Sequence, residues 1–182
     1  MAEKLKSLLS NFYIRLFMIL IPIFCFDSFV LQPFLKDHYL EQDLRNFKDN
    51  SWKYILITFA IIIVVAAIFV GVRKISEFIA VCFISGAIVI GFKSTFTRIF
   101  LFINTKTEHS RVIQTYEVIN HKESQVLWLD AGEKKSIHDH NEIELIDKKR
   151  KSLGLQSISQ HKTNDTIHVI YKKSIFNVNY LD

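Results

Sequence analysis

The residues that could do chemistry in this chain are few and scattered. Asp27 is a lone carboxylate inside an apolar stretch, and an ionisable group there is a functional candidate by default. The plainer reading is that it lies near the helix exit and reaches headgroup water. If it instead pairs with a basic group inside the helices, Arg73, Lys74 and Lys93 are candidates by residue type. His138, Asp139, His140, Asn141 and Glu142 form the one run with metal-ligand residue types. In a strand His138 and His140 would share a face, but two histidines are not a site and no third ligand stands out, so no metal is expected. Lys148, Lys149, Arg150 and Lys151 form the densest basic run. It reads as a solvated turn or as a contact for an anionic partner, and it is expected to matter more to binding than Asp27. Serine at all four positions should spare folding.

Other chemistry is missing from the pattern. Cys25 and Cys82 both fall in apolar stretches, so no disulfide framework is expected. Phe24 precedes Cys25, where lipoprotein processing requires a small residue. The chain carries no P-loop, dinucleotide fingerprint, HExxH or nucleophile–base motif. A non-enzymatic role without a cofactor is the expectation.

The elements that must position these groups divide the chain in two. Hydrophobic residues make up 49% of 182 residues, but they are concentrated before residue 105. Residues 54–72 carry no charge and are long enough, at about 1.5 Å per residue, for a bilayer core of roughly 30 Å. Trp52, Lys53 and Tyr54 precede this run, and Arg73 and Lys74 close it, an aromatic and basic collar suited to two interfaces. Residues 14–34 form another span, with Pro22 as its expected kink. Residues 75–92 form a third, in which Ala87 and Gly91 could admit a neighbouring helix. In 94–104, Phe96, Ile99, Phe100 and Ile103 recur on one helical face, predicting an amphipathic helix in the interface. A third span lengthened to about residue 103 is the alternative. The net charge of +5 is explained by basic residues beside lipid headgroups, and no nucleic-acid partner is expected.

From residue 111 the pattern becomes strand-like. Segments 111–120, 124–130, 141–147, 155–160, 166–173 and 174–182 are short and rich in Ile, Val, Tyr and Thr, with turn residues between them. Trp128, Tyr116, Tyr171, Phe176 and Tyr180 are the expected aromatic core. The fold class is therefore a helical membrane half with three transmembrane helices plus an amphipathic helix, residues 1–104. A small all-β barrel-like domain follows, residues 105–182.

The order of segments, together with the closing YKKSIFNVNYLD, resembles small bacterial inner-membrane proteins with three spans and a C-terminal β domain. The resemblance implies the same layout and transfers no functional residue. Three functions fit. The first is a membrane-anchored binding or accessory protein of the bacterial envelope, such as an immunity protein against a toxin. The second is a signal-gated membrane effector with a β-barrel sensor, similar in layout to antiphage proteins. The third is a small transporter or channel subunit using Asp27. The partners in view are the lipid bilayer, a protein and a second copy of the chain. Positive-inside counting over Lys4, Lys6, Arg15, Arg73 and Lys74 places the N-terminus in the cytoplasm and the C-terminal domain outside it, while Lys93 and Arg98 pull the other way.

Overall fold

The computed structural model describes residues 12–121, 126–132 and 136–181. Helix α1 (Phe12–Phe26) runs past Pro22 without a break. It continues as a π-helical turn over Asp27–Leu31 and then as α2 (Gln32–Lys36). Pro33 has no N–H to offer the Phe29 carbonyl one turn back, and its ring crowds that group. The wider turn, in which the Gln32 N–H reaches the Asp27 carbonyl, accommodates the defect. The departure from α geometry thus precedes Pro33 and is not at Pro22.

Helix α3 (Glu41–Asn50) carries Glu41 and Asp43 in its first turn and Lys48 in its last, matching the helix dipole at both ends. Helix α4 (Trp52–Val70) is closed by Gly71, whose left-handed φ of 66° lets its N–H reach the Ala67 and Ile68 carbonyls. Glu77 then accepts the Arg73 and Lys74 N–H groups at 2.9 and 3.3 Å, which opens α5 (Ile75–Gly91). The two helices pack together, with the Phe59 ring 3.7 Å from where a side chain on Gly86 would begin. The small residue used inside the chain is therefore Gly86, while Ala87 and Gly91 lie on exposed positions.

Helix α6 (Lys93–Thr105) follows α5 across a bend of 67°. Its buried stripe is Thr97, Leu101 and Asn104. The Phe96, Ile99, Phe100 and Ile103 face expected to dominate is only half-buried, with Ile103 exposed. Among the described residues, α4 alone is long and apolar enough to cross a membrane by itself, and α5 qualifies jointly with α6 across their bend. Large apolar side chains on these helices meet no protein cover, among them Phe69 at 87% and Phe83 at 77% exposure.

The C-terminal half is built on a curled antiparallel sheet in the order β2-β1-β3-β4. Its strands are β1 (Glu108–His121), β2 (Val126–Asp130), β3 (Thr166–Ser174) and β4 (Asn179–Tyr180). Tyr116 pairs with Ile167, so the buried residues of β1 and β3 meet on one face, which continues to Tyr171 opposite the exposed Val112. Helix α7 (His140–Ser152) covers that face with Ile143 and Ile146. Tyr116, Val118, Leu129, Ile158, Ile167, Val169, Tyr171 and Leu181 complete the core. Burying each such side chain contributes roughly 1.5–3 kcal/mol before entropy is counted.

The expectation of an all-β domain is corrected here. Residues 141–147 are helix, not strand, because Asp139 caps the segment by accepting the Asn141 N–H at 2.7 Å. Lys149, Arg150 and Lys151 sit in its last turn, where positive charge is favoured. Residues 155–160 form only a 3-10 turn at Ile158–Gln160, and among the described residues of 174–182 strand structure is confined to Ser174, the last residue of β3, and Asn179–Tyr180. Tyr116, Tyr171 and Tyr180 are buried as expected, whereas Trp128 is half-buried beside the His138 ring, 5.9 Å between centroids.

Candidate functional site: an ion pair, a basic cleft and a buried amide

The π-helical turn sets Asp27 against α6, where its carboxylate accepts from the Arg98 guanidinium. The Asp27 side chain is 8% exposed and that of Arg98 26%, so the pair sits at the edge of the packed interior. Gln32, with its amide oxygen turned toward Arg98, accepts from both terminal nitrogens at 2.8 and 2.9 Å. The second carboxylate oxygen, Asp27 Oδ1, is buried without a hydrogen-bond partner among the described residues. The sequence singled out Asp27 but named Arg73, Lys74 and Lys93 as partners. Arg73 and Lys74 belong to the α4–α5 turn, and Lys93 lies 3.8 Å above the Trp52 ring. The cation over an indole face is a favourable arrangement in its own right.

Beside Arg98 opens a cleft of about 260 Å³ lined by three helices. Helix α2 contributes Gln32, Leu35 and Lys36, α3 contributes Leu44 and Lys48, and α6 contributes Ser94, Thr97, Arg98 and Leu101. Within each helix these residues recur at spacings of three or four, the spacing that puts side chains on one face. Among the described residues, no Asp or Glu lines the cleft. Thr97 turns its hydroxyl back to the Lys93 carbonyl at 2.8 Å.

The other end of α6 fastens the sheet. Asn104 is fully buried. Its Nδ2 donates to Tyr39 Oη at 3.0 Å and to the Val178 carbonyl at 3.1 Å, and its Oδ1 accepts the Phe176 N–H at 3.2 Å. Tyr39 in turn donates to the Leu101 carbonyl at 2.8 Å, and burial pushes its hydroxyl well above the usual range. Leu35, Phe47, Leu101, Val178 and Tyr180 surround this network, with Tyr54, Phe100 and Phe176 packed edge-on beside them. A second clasp joins the Leu181 N–H to the His38 carbonyl at 2.7 Å. Neither Tyr39 nor Asn104 stood out in the sequence. The available signal was a polar Asn at the end of an otherwise apolar helical stripe.

The basic run falls in the last turns of α7 and is divided by helical geometry. Arg150 is buried and donates to the His168 carbonyl at 2.8 Å and the Gln156 carbonyl at 3.4 Å. Lys151 pairs with Asp147 at 2.6 Å, and Lys148 lies 3.5 Å from Asp37. Burial opposes the charge on Asp147, yet Lys151, the Ile158 N–H and the Ser157 hydroxyl together hold its carboxyl below the ordinary value. The four residues therefore do not form one continuous surface. Among the described residues there is no group of three or more His, Cys, Asp or Glu side chains arranged to hold a metal. In the sheet core the Tyr116 and Tyr171 hydroxyls meet at 2.9 Å, and burial raises both, that of Tyr116 to about 12.

No protein-family model, curated protein or solved structure matches the chain.

Proposed function

We propose that the chain is a non-enzymatic, membrane-anchored binding protein of the bacterial inner membrane, in which α1 through α2, α4 and α5 are the three spans. The continuous helix from Phe12 to Lys36 has a length of about 37 Å, and α4 one of about 28 Å, both sufficient for a bilayer core. The carrying observation is the Asn104 network, which fixes the sheet against the helices. A domain held this way meets its partner at a set height above the lipid. An immunity protein against a membrane-acting toxin has that requirement and needs no catalytic group.

One observation favours a second reading, the signal-gated effector. Helix α6 joins the sheet through Asn104 and the first helix through Arg98, so a shift of the sheet has a mechanical route to the spans. Sidedness separates the two. Reporter fusions at Asp182 that work only outside the cytosol would support the binding protein. Cytosolic activity would favour the effector, as would the gathering of Lys36, Lys48, Lys93 and Arg98 toward the sheet end of the helices. Membrane potential in expressing cells gives the direct test. The binding protein leaves it unchanged, and depolarisation with growth arrest would transfer the case to the effector.

A further inference from the structure

We infer that the cleft between α2, α3 and α6 is a binding site for a phosphate-bearing anion. Among the described residues, the cleft has three cations on its walls, Lys36, Lys48 and Arg98, and no carboxylate. Arg98 is already turned and partly neutralised by Asp27 behind it, and Gln32 holds the same guanidinium from the side. Lys36 and Lys48 make no ion pair among the described residues. Two lysines without an ion pair among the described residues thus line a concave surface, beside a guanidinium held from two sides. Ser94, exposed at the mouth, adds a hydroxyl. Charge-assisted hydrogen bonds from such donors are what a phosphate oxygen accepts.

Size and floor narrow the ligand. The volume of about 260 Å³ falls below the roughly 300–1,000 Å³ of sites for drug-sized molecules, so a small anionic group fits better than a nucleotide. Leu35, Leu44 and Leu101 supply an apolar floor. The position, at the end of the first helix and the start of α6, is where the proposed spans leave the bilayer. This rests on the reading of the chain as membrane-spanning. Two sources share the chemistry: the headgroup of an anionic phospholipid, and a soluble phosphate.

The test uses the full chain purified in a non-ionic detergent, with melting temperature as the readout. Short-chain phosphatidic acid and inorganic phosphate are titrated separately into the wild type and into a Lys36→Gln/Lys48→Gln variant. Both lysines are exposed, so the variant should fold, and its circular dichroism spectrum should match the wild type. Phosphatidic acid should raise the melting temperature of the wild type, and the half-maximal concentration should rise about 10-fold or more in the variant. If inorganic phosphate reproduces the effect at similar concentration, the site takes soluble phosphate. If only the lipid acts, it takes a headgroup. Absence of a shift with both ligands, or equal shifts in wild type and variant, would overturn the assignment. Alkaline washing of membranes separates this from the underlying reading. A chain that stays in the membrane without a ligand shift loses only the cleft, whereas a chain released by the wash loses its spans.

Discussion

Arg98 and Asn104 stand six positions apart on one helix and hold opposite halves of the molecule. Arg98 reaches the Asp27 carboxylate in the first helix, and Asn104 reaches the backbone of Phe176 and Val178 at the end of the chain. Six residues of α helix span about 9 Å and turn the side chains to different faces. The helix therefore works as a rigid spacer between a charged contact and a neutral one.

The charged contact should follow the rules of a buried pair, in which losing one partner strands the other. Arg98→Met should destabilise the full chain in detergent by about 3 kcal/mol, the lower part of the range for buried pairs because Arg98 is a quarter exposed. Asp27→Leu combined with Arg98→Met should recover most of that loss. Thermal melting of the two variants measures the coupling. Equal stability of wild type and Arg98→Met would mean that the carboxylate is served by solvent.

The neutral contact predicts a different failure. Asn104→Ala removes a donor from the buried Val178 carbonyl and the acceptor of the partly buried Phe176 N–H. A cost of about 2–4 kcal/mol follows from two stranded backbone groups. The loss should fall on the joint between the halves, so limited proteolysis should cut near residues 174–178 faster than in the wild type. An unchanged cleavage rate would show that the network does not hold the sheet.

The basic run should separate into structural and dispensable members. Arg150→Ser withdraws the donors to the His168 and Gln156 carbonyls and should cost about 2 kcal/mol. The triple change Lys148→Ser/Lys149→Ser/Lys151→Ser should cost less than Arg150→Ser alone, since exposed ion pairs contribute little. Serine at all four positions should therefore cost stability through Arg150, which the run alone did not suggest. Denaturant melts of the two variants decide the order.

Asp147 links stability to pH. Its carboxyl is held below the ordinary value of 3.8 in the folded chain, so it stabilises the fold at pH values above 3.8. That contribution is lost as pH falls through the lower, folded value. Asp147→Asn should therefore lower the melting temperature at pH 6, and the gap to the wild type should close as pH drops below 3.8. A gap that is constant with pH would assign the effect to packing.

Architecture was more legible than the site, and particular residues show why. The uncharged run at 54–72 and the alternation of Ile167, Val169 and Tyr171 are local patterns, and both elements form. Ile143 and Leu145 also alternate, but the buried residues are Ile143, Ile146 and Arg150, a helical series. Seven residues cannot separate those periods, and the better signal lay outside them: Asp139 three positions before Glu142, and Gly154 just past the end. The partner of Asp27 was out of reach for another reason. Arg98 lies 71 positions away, and only the 67° bend after α5 brings α6 back to the first helix.

The closing residues of the chain carry a temporal implication. Tyr39 is made early, and its polar surroundings wait for Asn104, Phe176, Val178 and the Leu181 clasp on His38. Residues 37–40, between the first helix and α3, therefore lack their polar partners until residues 176–181 have been made. A chain cut short before Phe176 would keep every helix of the first half and leave the joint permanently unmade.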